Sequence, residues 1–152
     1  MLRMASTVTA LLLLASLAFA QSLTGLAAID ARGKLMSDLG TALYKDAGRM
    51  MKGTDPFNLA RAKASFDHIA ATAPKLKALF PADSRTGGGS LARPEIWENI
   101  DAFAARFDRL ATVAAAASAA TSDEFSFQDQ FARVNDTCND CHKPFRAVRE
   151  RK

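Results

Sequence analysis

The sequence predicts an all-α fold, an antiparallel up-down-up-down four-helix bundle, and three observations carry that expectation. Apolar residues recur at alternating intervals of three and four through four long segments. No segment alternates with the period of two that a half-buried strand shows. Turn formers gather in one long stretch only, "PADSRTGGGSLAR" from Pro81 to Arg93, so the bundle has one longer connection and two short ones.

The N-terminus stands apart from the bundle. Arg3 precedes the apolar run "VTALLLLASLAF", and small residues at Ala18 and Ala20 flank Phe19, the pattern of a secretory signal peptide with an A-x-A cleavage site. The run is shorter than the roughly 20 residues of a membrane span. The expectation is a signal peptide over 1–20 and a soluble, periplasmic mature domain over 21–152 beginning at Gln21. An uncleaved membrane anchor is the alternative. Removing Arg3, the only charge in the leader, takes the formal balance from +4 to +3. That small surplus, with no block of consecutive cations, argues against nucleic acid as the partner.

The first helix is expected over about 25–52, with Leu26, Ile29, Met36, Leu43, Ala47 and Met50 on one face and Gly53 at its end. The second is expected over about 56–80, with Asp55 as N-cap and Pro56 at the first helical position. Its face carries Leu59, Phe66, Ile69, Leu76 and Phe80, and Pro74 kinks or divides it near Thr72. Gly87 to Gly89 follow no strand and precede no Lys-Ser/Thr pair, so a flexible surface connector is expected there in place of a phosphate cradle.

Pro94 opens a third helix over about 94–120, whose face carries Ile96, Ile100, Phe103, Phe107 and Leu110 and whose alanine-rich end allows close backbone approach. The fourth, about 122–150, starts from Thr121 with Glu124 as a capping box. Its inward face reads Phe127, Phe131, Val134, Cys138, Cys141, Phe145 and Val148.

Both cysteines of the chain therefore sit on an inward helical face, with His142 beside them. "CNDCH" is C-x-x-C-H, the attachment pattern for c-type haem: two thiols add to the haem vinyl groups and the next imidazole binds iron. A disulfide between Cys138 and Cys141 would close a very short loop and restrain the unfolded chain little. Three other uses compete with the haem. A zinc site lacks ligands, because the other mature histidine, His68, is distant in sequence. A thioredoxin-like redox pair needs a helix N-terminus after a strand. Two small core residues leave the adjacent histidine without a purpose.

The motif in the last helix, the continuation "CHKPFR", and the segments "ARGKLMSDLG", "LKALFP" and "RPEIW" together resemble the class II cytochromes c, the cytochrome c′ family, most closely its low-spin cytochrome c-556 branch. Cytochrome c′ is itself a standard example of the up-down-up-down bundle. The resemblance implies one covalent haem c on Cys138 and Cys141, with His142 as proximal iron ligand. It places Met36, four residues after Arg32, opposite the haem. The low-spin branch has a methionine ligand there, whereas high-spin cytochromes c′ have an apolar residue and an open position. Arg32 and Arg146 are placed where they contact a haem propionate or the ring, with a solvated cation as the alternative for each. His68 matches no ligand of the family.

What the resemblance implies is a non-enzymatic periplasmic electron carrier with periplasmic redox partners, monomeric or homodimeric. The runner-up is a five-coordinate high-spin cytochrome c′ that binds nitric oxide or another small gas, and a third reading is a haem-bearing subunit of an enzyme complex. The cluster Lys143, Arg146, Arg149, Arg151 and Lys152 complements the negative end of the last helix or guides an acidic partner. Pro144 removes a hydrogen bond to the carbonyl of Asp140, which calls for a kink or a new turn just after His142.

Overall fold

The computed structural model describes residues 24–148. The signal peptide, Gln21 and the cations after Val148 lie outside those residues. The described chain is a helical bundle whose elements are α1 (Gly25–Gly40), a π-helical stretch (Thr41–Ala47), α2 (Gly48–Met51), α3 (Leu59–Thr72), a 3-10 segment (Ala73–Leu79), a 3-10 turn (Ala82–Ser84), α4 (Glu95–Glu98), α5 (Ile100–Ala120) and α6 (Glu124–Phe145). α5 packs on both α3 and α6, and α3 packs on the π-helical stretch. No named strand occurs among the described residues.

The core lies where the apolar stripes converge. Leu43, Phe66, Ile69, Leu76, Phe127 and Val134 are fully buried. Alanines at Ala62, Ala114 and Ala117 have no exposed surface, so the helices meet there with little side chain between them. Phe80 anchors an aromatic cluster at the other end, 4.7 Å from Phe103 edge-on and 5.9 Å from Phe107. Such pairs add about 0.5–1.5 kcal/mol beyond the area they bury. Trp97 donates its indole N–H to the Phe80 carbonyl at 2.9 Å.

Four helix boundaries differ from expectation, each for a local reason. Asp55 does not cap α3: its carboxylate is taken by Arg49 at 2.7 Å and Arg61 at 3.2 Å. Asn58 caps instead, accepting from the Arg61 backbone N–H at 2.9 Å. α6 starts from Asp123 and Ser126, whose side chains and backbones satisfy each other reciprocally. Thr121 is buried and donates its hydroxyl to the Ala117 carbonyl at 2.7 Å, so it closes α5. The expected third helix is broken at Asn99, which has φ −143° and ψ 75° and caps α5 through the Ala102 N–H at 3.1 Å. Ile100 is thereby turned outward, 37 % exposed.

α6 ends at Phe145, with Pro144 in its last turn. Arg146 still donates its backbone N–H to the His142 carbonyl at 3.0 Å, but its own backbone is extended. There it forms a β-bridge with Ala92, and Val148 beyond is exposed instead of inward. Pro74 acts as expected: α3 stops at Thr72 and the chain tightens into the 3-10 segment.

The glycine-rich connection is not a free loop. Arg32 is buried in the bundle, where its Nη1 donates to Ser84 Oγ at 2.9 Å and to the Leu79 carbonyl at 3.3 Å. Its Nη2 donates to the Ser84 carbonyl at 2.8 Å and to Ser90 Oγ at 2.7 Å. The guanidinium also lies 4.8 Å from the Phe80 ring, a favourable cation–π distance. At its far end the loop is strapped to α6, the Arg93 N–H donating to Phe145 at 3.0 Å and the Ala147 N–H to Leu91 at 2.8 Å. Gly88, at φ +54°, adopts a backbone conformation that favours glycine, and a Cβ there would press on Ile29 Cγ2 at 3.1 Å.

Arg32→Leu should therefore lower the unfolding free energy of the holoprotein by about 2–4 kcal/mol, because each buried carbonyl left without its donor costs about 1–3 kcal/mol. Urea unfolding followed by circular dichroism measures this. An unchanged midpoint would show that the loop holds without its clamp.

Candidate functional site

α6 presents Cys138, Cys141 and His142 within one turn. Residues three and four apart on a helix share a face, so the spacing itself places the two thiols and the imidazole together. Both cysteines are free and half-buried. Burial pushes the Cys138 thiol up to about 11, with Cys141 adding to the shift, and raises the Cys141 thiol as well. Burial, then the charge of Arg146, lowers the pKa of His142, which keeps its imidazole neutral at pH 7, the form that binds a metal.

These residues face two neighbouring cavities. The larger, about 780 Å³, is bounded by α1, α4, α5, the glycine-rich loop and the end of α6, with Ile29, Phe80, Ile96, Phe103 and Phe145 as its apolar wall. The smaller, about 170 Å³, runs between Leu39, Leu43, Ile69, Phe107 and Leu110 on one side and Cys138 on the other. Met36, Cys141, His142 and Arg146 line both, and Cys138 lines the smaller. Met36 comes from α1 and His142 from α6, so a thioether and an imidazole from different helices border one space.

Arg32 borders the larger cavity with both terminal guanidinium nitrogens engaged by the loop. Arg146 is exposed at the rim. His68 is exposed and lines a separate depression of about 400 Å³ between α1 and α3, far along the chain from the thiols. Met50 is buried in the core and Met51 packs against it.

Sequence reasoning missed Tyr44. It lines both cavities, and its hydroxyl donates to Asn135 Oδ1 at 3.0 Å. Burial raises its pKa, as does the Cys138 thiol, while Arg146 opposes them. On a straight helix Tyr44 falls outside the apolar stripe, and no residue type announces the π-helical turn on which it sits. Arg106 was also unforeseen: it lines the smaller cavity and lies 6.0 Å from the Phe145 ring.

The model of the family described as Cytochrome C′ matches residues 27–146. The chain belongs to the cytochrome c′ family. Cytochrome c′ of Rhodopseudomonas palustris (strain ATCC BAA-98 / CGA009) is 40 % identical over 119 residues, covering 78 % of this chain and 81 % of that one. Cytochrome c-556 of Agrobacterium fabrum (strain C58 / ATCC 33970) is 32 % identical over 119 residues, covering 78 % and 80 %. A solved structure of cytochrome c′ from Rhodopseudomonas palustris superposes with a TM-score of 0.78 at 38 % identity, covering 81 % of this chain and 98 % of that one. The four-helix bundle is thus the family fold.

Cytochromes c′ carry covalent haem c, and the residues here fit that group. The site is a cleft of about 780 Å³, open at a rim that carries Lys34, Ser37 and Arg146 and walled by phenylalanine and isoleucine. That lies within the roughly 300–1,000 Å³ typical of small-molecule sites. The donor set at its edge, two free thiols, a neutral imidazole and a thioether, suits a haem with two attachment points and two axial ligands.

Proposed function

We propose that the protein is an exported electron carrier holding one haem c through thioethers to Cys138 and Cys141, with His142 and Met36 as the iron ligands. The observation that carries this reading is that Met36 and His142, on separate helices, line the same two cavities. When bound, haem supplies a one-electron iron couple. The chain's own residues do the rest. His142 offers a neutral imidazole, and Met36 a soft thioether that favours the reduced ion and raises the potential relative to two histidines. Phe80, Phe103 and Phe145 exclude water from the cavity wall. The exposure of Arg146 at the rim supports its assignment to a propionate, and Arg32 serves the site by clamping the loop that forms one wall. The leader over 1–20 supports export to the periplasm, with redox partners there. No helix among the described residues is long and apolar enough to cross a membrane.

The relative named cytochrome c′, at 40 % identity, favours a second reading, in which the sixth position stays open for a small gas such as nitric oxide. The optical spectrum of the reduced protein, with and without carbon monoxide, separates the two. Methionine ligation gives a low-spin spectrum that carbon monoxide changes slowly or hardly at all. A high-spin spectrum that shifts at once on adding the gas would assign the five-coordinate state.

A further inference from the structure

Neither the bundle nor the haem site accounts for the π-helical stretch Thr41–Ala47. Such turns are rare and recur at functional sites, since the widened turn re-aims the side chains that follow. An α-helix advances about 100° per residue, so on a straight continuation of α1 Tyr44 would point about 80° away from Met36. A turn closed by bonds five residues apart advances only about 80° per residue, which brings Tyr44 to within about 30° of the direction of Met36. Tyr44 shares both cavities with Met36 and Gly40.

Two further contacts hold it there. The Gly48 N–H closes the π-turn onto the Leu43 carbonyl, and a Cβ on Gly48 would sit 3.1 Å from that oxygen. Glycine therefore lets the widened turn close without displacing the carbonyl. On the opposite side, the Tyr44 hydroxyl bonds to Asn135 on α6, one turn before Cys138. The ring is 48 % exposed, so it stands at the mouth of the site and not in its interior.

We propose that Tyr44, aimed by the π-turn and held by Asn135, is the positioning residue that gates the Met36 side of the cleft, tying the helix of Met36 to the helix of His142 and limiting entry of small ligands. The gate rests on the reading that haem fills the cleft between these helices. It does not require that Met36 bind iron.

Carbon monoxide association to the reduced holoprotein tests it, measured with Met36→Ala as the common background and reference for every variant, so that loss of a thioether from iron does not set the rate. Tyr44→Phe keeps the ring and removes the bond, and should speed association roughly two- to tenfold, the range one net hydrogen bond supports. Asn135→Leu should match it, and the double variant should add nothing further. Gly48→Ala should act in the same direction by moving the turn. Asp123→Ala, which loosens the start of α6 far from the cleft, should leave the rate at the reference value. Equal rates in the reference and in Tyr44→Phe would overturn the gate, as would a rise in Asp123→Ala as large as that in Tyr44→Phe. The wild-type spectrum decides Met36 ligation separately: a high-spin wild type defeats that reading while the ratio of rates still decides the gate.

Discussion

Protein matured in a host with cytochrome c assembly machinery should keep its haem through acid–acetone extraction, and Cys138→Ala combined with Cys141→Ala should lose essentially all of it. Extraction breaks coordination and hydrophobic contact but leaves thioethers intact, so retention reports covalent attachment alone. Each single variant should keep haem on its remaining thioether, with the absorption bands of the reduced form shifted by the vinyl group left free. The geometry makes the pair the decisive test. Both thiols are free, they lie one helical turn apart on α6, and Cys141 and His142 border the large apolar cavity. Haem washed out of the unmutated protein, or stoichiometric zinc in its place, would defeat the attachment.

The parts of this fold legible in the sequence were those set by local periodicity and stereochemistry. Ile29, Leu43, Phe66, Ile69, Phe103, Phe107, Phe127 and Val134 lie on the apolar stripes and are buried. Pro74 ends α3 at Thr72 because its ring removes a donor whatever surrounds it. Caps were less legible, because several residues near each helix start can accept a backbone N–H and long-range partners choose among them. Asp55 was lost to Arg49 and Arg61, and Thr121 to the carbonyl of Ala117.

Within the site the same division holds. The C-x-x-C-H turn is local, and α6 presents it as its spacing requires. The wall opposite is not local. Arg32 reaches Ser84 and Ser90 across more than 50 positions of sequence, and the strap from Leu91 to Ala147 spans a comparable separation. Periodicity carries no record of such contacts. Tyr44 is hidden for a third reason: the α-helical angle puts it off the apolar stripe, and the helix changes angle three residues before it.

Replacing Met36 by Ala should turn a low-spin protein largely high-spin in both oxidation states, open it to rapid carbon monoxide binding, and lower its reduction potential. A methionine on an inward helical face usually fills core, and Met50, which is buried within the core cluster, and Met51, packed against it, are of that kind. Met36 is half-buried and borders both cavities alongside His142. Truncating it removes the thioether and leaves the attachments on α6 untouched, so haem content should stay constant while the spectrum changes. The oxidised wild type should show the weak far-red band of methionine-to-iron ligation, and Met36→Ala should lose it. Met50→Leu and Met51→Leu should keep it, since leucine conserves their volume in the core. A wild-type spectrum already high-spin at neutral pH would transfer the protein to the gas-binding reading. A Met36→Ala variant that retained the far-red band would pass the ligand role to Met50 or Met51, and would require the end of the first helix to pack differently around the haem.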